Sequence, residues 1–179
     1  METYETIITE SLQATMGNAM KHRLAQFVVE TPKSIPFLWS LIATKPYPIN
    51  ARAAWVFEYL CTNNEVLYWS YIEAIAISFP KTNNESVMRI LSKLLMLKPI
   101  PEKEEAKVLN AAFDRLTNKA LPIALRVNCM QIVYNLTSKH PDLQNELRGI
   151  IENEIETGKP AFKSRGWKIL TQLNLKRSN

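Results

Sequence analysis

The sequence predicts an all-α fold, an α-α superhelix of about ten helices in five pairs, within a single helical-repeat domain over 1–179. Three observations carry this. Pro99 and Pro101, Pro122, Pro141 and Pro160 fall about 20 residues apart, and each opens a stretch of helical periodicity. An arginine recurs at matching places in the second helix of successive pairs. No sustained period-two alternation and no Asn-Gly or Asp-Gly hairpin signal argues for strands.

Each element follows from local punctuation. Proline suits the first helical turn and ends whatever preceded it, so helices are predicted near 102–118, 122–138, 142–157 and 160–173. Earlier, TNN at 62–64 and KTNN at 81–84 supply the breaks, because Thr and Asn favour turns and N-caps. Further helices are predicted near 3–15, 18–30, 34–44, 49–61, 65–79 and 84–97, the first carrying Tyr4, Ile8 and Leu12 on one stripe. The segment EVLYWSYIEAIAISF at 65–79 is apolar almost all round, which predicts a helix covered on both sides, with Tyr68, Trp69 and Tyr71 in the packing between layers.

The recurrence is seen by aligning ARAAWVFEYL on Arg52, MRILSKLLML on Arg89, LRVNCMQIVY on Arg126 and SRGWKILTQL on Arg165, at spacings of 37, 37 and 39. Apolar or small residues follow at fixed offsets: Ala53, Phe57 and Leu60; Ile90, Leu94 and Leu97; Gly166, Leu170 and Leu173. The copy at Arg126 keeps Val127 and Tyr134 but has Gln131 between them, and a weaker copy, HRLAQFVVE, surrounds Arg23. A two-helix period of this size is the signature of a solenoid, in which each pair exposes an apolar face that the next pair covers.

PINARAA at 48–54 and LPIALRVNCM at 121–130 resemble the second helix of HEAT and armadillo-like repeats, where a proline, a short gap, then Val/Leu-Arg and a small residue recur. The resemblance covers most of the chain and implies a curved superhelix that binds partners rather than an activity. The aspartate that many HEAT repeats carry ahead of the arginine is absent, the only aspartates being Asp114 and Asp142. RAAWVFEYLC and AFKSRGWKIL are also similar to segments of small helical proteins of the Bacteroidetes, some of which carry an adenylosuccinate lyase label. The lyase's S-S-x-M-P-x-K loop has no counterpart here, so that activity is not implied.

Composition narrows the classes. At 179 residues, 46% hydrophobic and 22% charged, the chain is long enough for a core and ordinary for a globular protein. The four glycines, at 17, 149, 158 and 166, form no Gly-rich loop, which excludes a P-loop and a dinucleotide fingerprint. METYETIITE has no basic region followed by an apolar run, and no stretch approaches the roughly 20 apolar residues of a membrane span. Cys61 and Cys129 each lie in an apolar helical pattern and read as buried free thiols. Together these predict a cytoplasmic protein with no membrane partner, and the resemblance to the Bacteroidetes proteins implies a bacterial one. The formal charge of +5 is uneven: 159–179 carry six cations and no acids, and the rest sums to −1.

The arginines need partners, because a cation in a helix's first turn is opposed by the dipole, by up to roughly 1 kcal/mol. Arg89 has Glu85 one turn earlier, whereas Pro48, Pro122 and Ala161 stand at that place for Arg52, Arg126 and Arg165. Their partners are therefore predicted to be tertiary, as a ladder onto the C-terminal carbonyls or acids of the neighbouring repeat. Glu58, inside WVFEYL, and Glu73, inside YIEAIA, are predicted to bridge to an arginine of an adjacent repeat. The candidate binding residues are Arg52, Trp55, Glu58, Arg89, Arg126, Lys163, Arg165, Trp167 and Lys168. No catalytic set, metal-ligand spacing or cofactor motif is found.

The function this pattern predicts is a non-catalytic module that binds a protein or peptide, self-association included. The alternative is a nucleic-acid binder using Lys163, Arg165, Trp167 and Lys168 of the basic C-terminal helix. A third reading, an enzyme built on Glu58 and Arg52, requires those two side chains to converge.

Overall fold

The computed structural model describes residues 2–177, with side chains through Leu175. Among the described residues there are ten α-helices, one short 3-10 turn and no strand. They form two compact units, Met1–Leu94 and Leu95–Asn179. Part of the basic end, the side chains of Lys176 and Arg177 together with Ser178 and Asn179, lies outside the described residues.

The first unit contains α1 (Tyr4–Gln13), α2 (Asn18–Glu30), α3 (Ile35–Thr44, after the 3-10 turn Pro32–Ser34), α4 (Ile49–Asn63), α5 (Glu65–Ser78) and α6 (Glu85–Leu95, whose last residue opens the second unit). The asparagines of the two predicted breaks cap the helices that follow: Leu67 N–H donates to Asn64 Oδ1 at 3.0 Å and Val87 N–H to Asn84 Oδ1 at 3.1 Å. Thr3 does the same for α1, accepting from the Thr6 N–H at 3.3 Å.

Side chains arrange these helices in two layers. Tyr4 meets Phe37 edge-on and Trp39 meets Tyr71, which joins α1, α3 and α5. Lys21 and His22 reach Tyr59, and Lys93 pairs with Glu58, which joins α2, α4 and α6. Between the layers, Phe57 lies fully buried against Trp39 and Tyr71. Burying side chains of this size contributes roughly 1.5–3 kcal/mol each.

One expectation fails here. Helix α5 is not covered on both sides: Val66 is 78% and Trp69 45% exposed, and Glu73 one turn further lies on the same open face. Tyr68 is buried, its hydroxyl donating to the Leu94 carbonyl at 3.0 Å, and Tyr71 is half-buried. Burial pushes both phenol pKa values up from the ordinary 10. An apolar composition does not ensure two covering neighbours, because surface exposes apolar residues too.

The second unit contains α7 (Glu102–Thr117), α8 (Ile123–Leu136), α9 (Leu143–Ile155) and α10 (Pro160–Arg177). Pro101 and Pro122 stand immediately before α7 and α8, as the spacing predicts, and Glu102, Glu104 and Glu105 place negative charge in the first turn of α7. Gly166 of α10 marks a close helix approach, since a Cβ there would come within 2.9 Å of Ile151 Cγ2 and 3.2 Å of Ile155 Cδ1. The apolar offsets hold for α4 and α10 but not everywhere. Leu97 falls beyond the end of α6 and is 51% exposed, and α8 buries Leu125, Cys129, Val133 and Leu136 instead of Val127 and Tyr134.

Both cysteines are free and buried, and burial pushes each thiol up to about 12. No helix among the described residues is long and apolar enough to cross a membrane. Among the same residues no group of three or more His, Cys, Asp or Glu is placed to hold a metal ion.

Candidate functional site

Three arginines of the series, Arg52, Arg126 and Arg165, make inter-helix ties. Arg52 sends its Nη1 to the C-terminal carbonyls of α1, Leu12 at 2.7 Å, Gln13 at 3.2 Å and Ala14 at 2.8 Å. These carbonyls have no intrahelical partner, so the guanidinium satisfies groups that helix geometry leaves open. Arg126 does the same for α7 through Nε to the Leu116 carbonyl at 2.8 Å, and adds a bidentate pair with Glu154 of α9. Only 4% exposed, Arg126 is withdrawn from the surface and cannot serve as the contact residue it is as a sequence candidate. Arg165 departs from the pattern: its Nη1 donates to the side-chain oxygen of Gln131 on α8, not to a carbonyl or an acid. Lys163 takes the carbonyl role instead, reaching Glu156 O at the end of α9 at 2.6 Å. Arg89 lies on the exposed face of α6.

Glu58 has a tertiary partner as predicted, but the partner is a lysine: Lys93 of α6 donates to its Oε1. Glu73 lies exposed on α5. Arg52 and Glu58 turn to different neighbours, so the convergence that an enzyme reading requires is absent between these two.

The structure instead assembles a mixed aromatic and cationic surface on α4. Trp55, Glu58, Tyr59 and Thr62 recur at helical spacing on its outward face. Lys21 of α2 sits over the Trp55 ring at 4.7 Å and the Tyr59 ring at 5.1 Å, and His22 packs on Tyr59 at 4.8 Å. On the other side stand Arg89 and Lys93, one turn apart on α6. Nothing in the sequence marked Lys21 or Tyr59, because the contact joins two helices, α2 and α4. What this surface offers chemically is recognition, ring faces beside fixed ammonium groups.

In the second unit the outward face of α8 carries a polar relay. Arg165 donates to Gln131, Gln131 Nε2 to Asn135 Oδ1 at 2.7 Å, and Asn135 Nδ2 to the Met96 carbonyl at 3.0 Å. Trp167, 54% exposed, borders a groove of about 370 Å³ with Leu170, Ile155 and Arg148, and Lys168 beside it is exposed. Three buried or half-buried acids escaped sequence reasoning. Glu104 pairs with Lys107 at 3.1 Å, Glu105 with Lys139 at 2.5 Å, and Glu154 with Arg126. They sit on α7 and α9 at polar-looking positions, with no local signal of burial. The Arg126 hydrogen bonds hold the Glu154 carboxyl below its ordinary pKa, and the Glu105 bond raises that of Lys139.

Residues 8–173 match the family model described as HEAT repeat domain. No curated protein and no solved structure matches the chain significantly.

Proposed function

The chain belongs to the HEAT repeat family, and from that premise we propose that it is a non-catalytic module that binds a partner protein through the outward face of α4 and its neighbours α2 and α6. The observation that carries this is the Lys21–Trp55–Tyr59 stack, a large aromatic surface left half-open beside charged groups. Trp and Tyr side chains of this kind dominate the energetics of protein interfaces. Domains of this family commonly mediate protein binding. In this reading the chain acts as one helical-repeat domain in the cytoplasm.

A photo-crosslinking side chain placed at the exposed Thr62, next to this face, tests the reading, with the same group at Ser70 on α5 as the control. Crosslinking in native lysate treated with nuclease is expected to trap a protein at 62 and not at 70, and Trp55→Ala is expected to abolish it. Equal trapping at both places, or material that disappears with nuclease, overturns it.

A further inference from the structure

Each unit, taken by itself, divides its charge unevenly between alternate helices. Within the first unit, α1, α3 and α5 carry four acids (Glu5, Glu10, Glu65, Glu73) and no basic residue. Helices α2, α4 and α6 carry five basic residues and three acids, and two of those acids, Glu30 and Glu85, stand at helix ends. The second unit repeats the bias: α7 and α9 hold seven acids and four basic residues, α8 and α10 six basic residues and no acid. In the first unit this is not a matter of net charge, since residues 1–94 have eight acids and eight basic residues.

We propose that the face formed by α2, α4 and α6 binds an acidic segment of a partner protein whose carboxylates are interspersed with apolar side chains. This rests on the reading of that face as the binding surface. Lys21 is held in place by the ring faces of Trp55 and Tyr59, so its ammonium loses little further freedom on meeting a carboxylate. Lys93, its side chain 46% exposed while its ammonium bridges to Glu58, gives a second cation on this face. Between these cations, the half-buried rings of Trp55 and Tyr59 suit an apolar side chain of the segment.

A nucleic acid fits the same face less well. Its affinity grows with the number of phosphates neutralised, and here Lys21 and Lys93 are interrupted by the Glu58 carboxylate on a unit of no net charge. A peptide can place an apolar residue where a phosphate would meet Glu58.

The test uses the full chain and fluorescence anisotropy with labelled peptides of about twelve residues, built on Glu-Glu-Leu, Lys-Lys-Leu or Ser-Ser-Leu repeats, and a single-stranded DNA of matched charge. The Glu peptide is expected to bind saturably, about tenfold or more tighter than the others. Lys21→Glu, Lys93→Glu and Trp55→Ala are each expected to weaken it about tenfold, with far-UV circular dichroism and Tm confirming that the variants fold. Lys33→Glu makes the same charge change beside Tyr4 of α1 and is expected to leave binding unaltered. Binding of the Lys peptide in a Trp55-dependent way, or tighter binding of DNA, overturns the acidic assignment while leaving the face a binding surface. Glu-peptide binding that ignores all three face variants, or no binding of any probe, overturns the assignment, and the insensitive case removes the support for the α4 face as well.

Discussion

Arg126 grips Glu154 with two parallel hydrogen bonds, Nη1 to Oε1 at 2.8 Å and Nη2 to Oε2 at 2.6 Å. Its Nε donates to the Leu116 carbonyl, and its guanidinium lies 5.1 Å from the centre of the Phe162 ring. One side chain of α8 thus touches α7, α9 and α10. The 5% and 13% exposure of the two partners places this pair away from bulk water, where removing one member leaves the other uncompensated.

Glu154→Leu is accordingly expected to destabilise the protein by about 3–5 kcal/mol, because it strands a buried guanidinium. The double variant Arg126→Met/Glu154→Leu is expected to be more stable than Glu154→Leu alone. Urea unfolding of the two single variants, the double variant and the parent closes the cycle. A double variant as unstable as the sum of its singles would show the two side chains to be energetically independent.

The same pair makes stability depend on pH. Its hydrogen bonds from Arg126 keep the folded carboxyl of Glu154 below its ordinary value of 4.5. The stabilisation is therefore complete at pH above the unfolded value, shrinks as pH falls below it, and vanishes below the folded value. The urea midpoint is expected to drop as pH falls below the ordinary carboxyl value of 4.5. Glu154→Gln is expected to make that drop shallower. An unchanged slope in the variant would assign the acid sensitivity to other carboxyls.

Arg52 ties α4 to the open end of α1, so Arg52→Met leaves three α1 carbonyls without that donor. Hydrogen bonds from a charged donor contribute about 1.5–3 kcal/mol, and the loss is expected to lie in that range. Hydrogen exchange reads where the loss falls: amides of α1 are expected to exchange faster while those of α9 and α10 keep their protection. A uniform rise across the chain would speak against a local tie.

Two helical glycines are expected to respond with opposite signs. Gly166→Ala pushes a Cβ to 2.9 Å from Ile151 Cγ2 and is expected to cost about 1–3 kcal/mol through overpacking. Gly149 lies inside α9 with nothing within 4 Å of where a Cβ would stand, and Gly149→Ala is expected to stabilise by about 0.5–1 kcal/mol. Thermal unfolding of both variants checks the pair; the same sign for both would contradict the packing around α10.

The sequence by itself determined the ten helices of the described residues, their order and most of their limits. Proline before α7 and α8, and asparagine ahead of α5 and α6, act within a single turn of chain, through a missing N–H or a capped one. The repeat was equally visible, because a stacked array places the same demand on each second helix at the same spacing. That Arg52 and Arg126 must find distant partners also followed from the empty places one turn before them. Which partners they find was decided only in three dimensions. Leu12 lies 40 residues from Arg52, Glu154 lies 28 from Arg126, and the acid Glu58 meets a lysine where an arginine was predicted. The open side of α5 and the shifted core face of α8 have the same origin. Helix formation satisfies hydrogen bonds along the chain, whereas burial and pairing depend on which helix lies alongside. The stacking of Lys21 on Trp55 and Tyr59 exists only once α2 and α4 are neighbours.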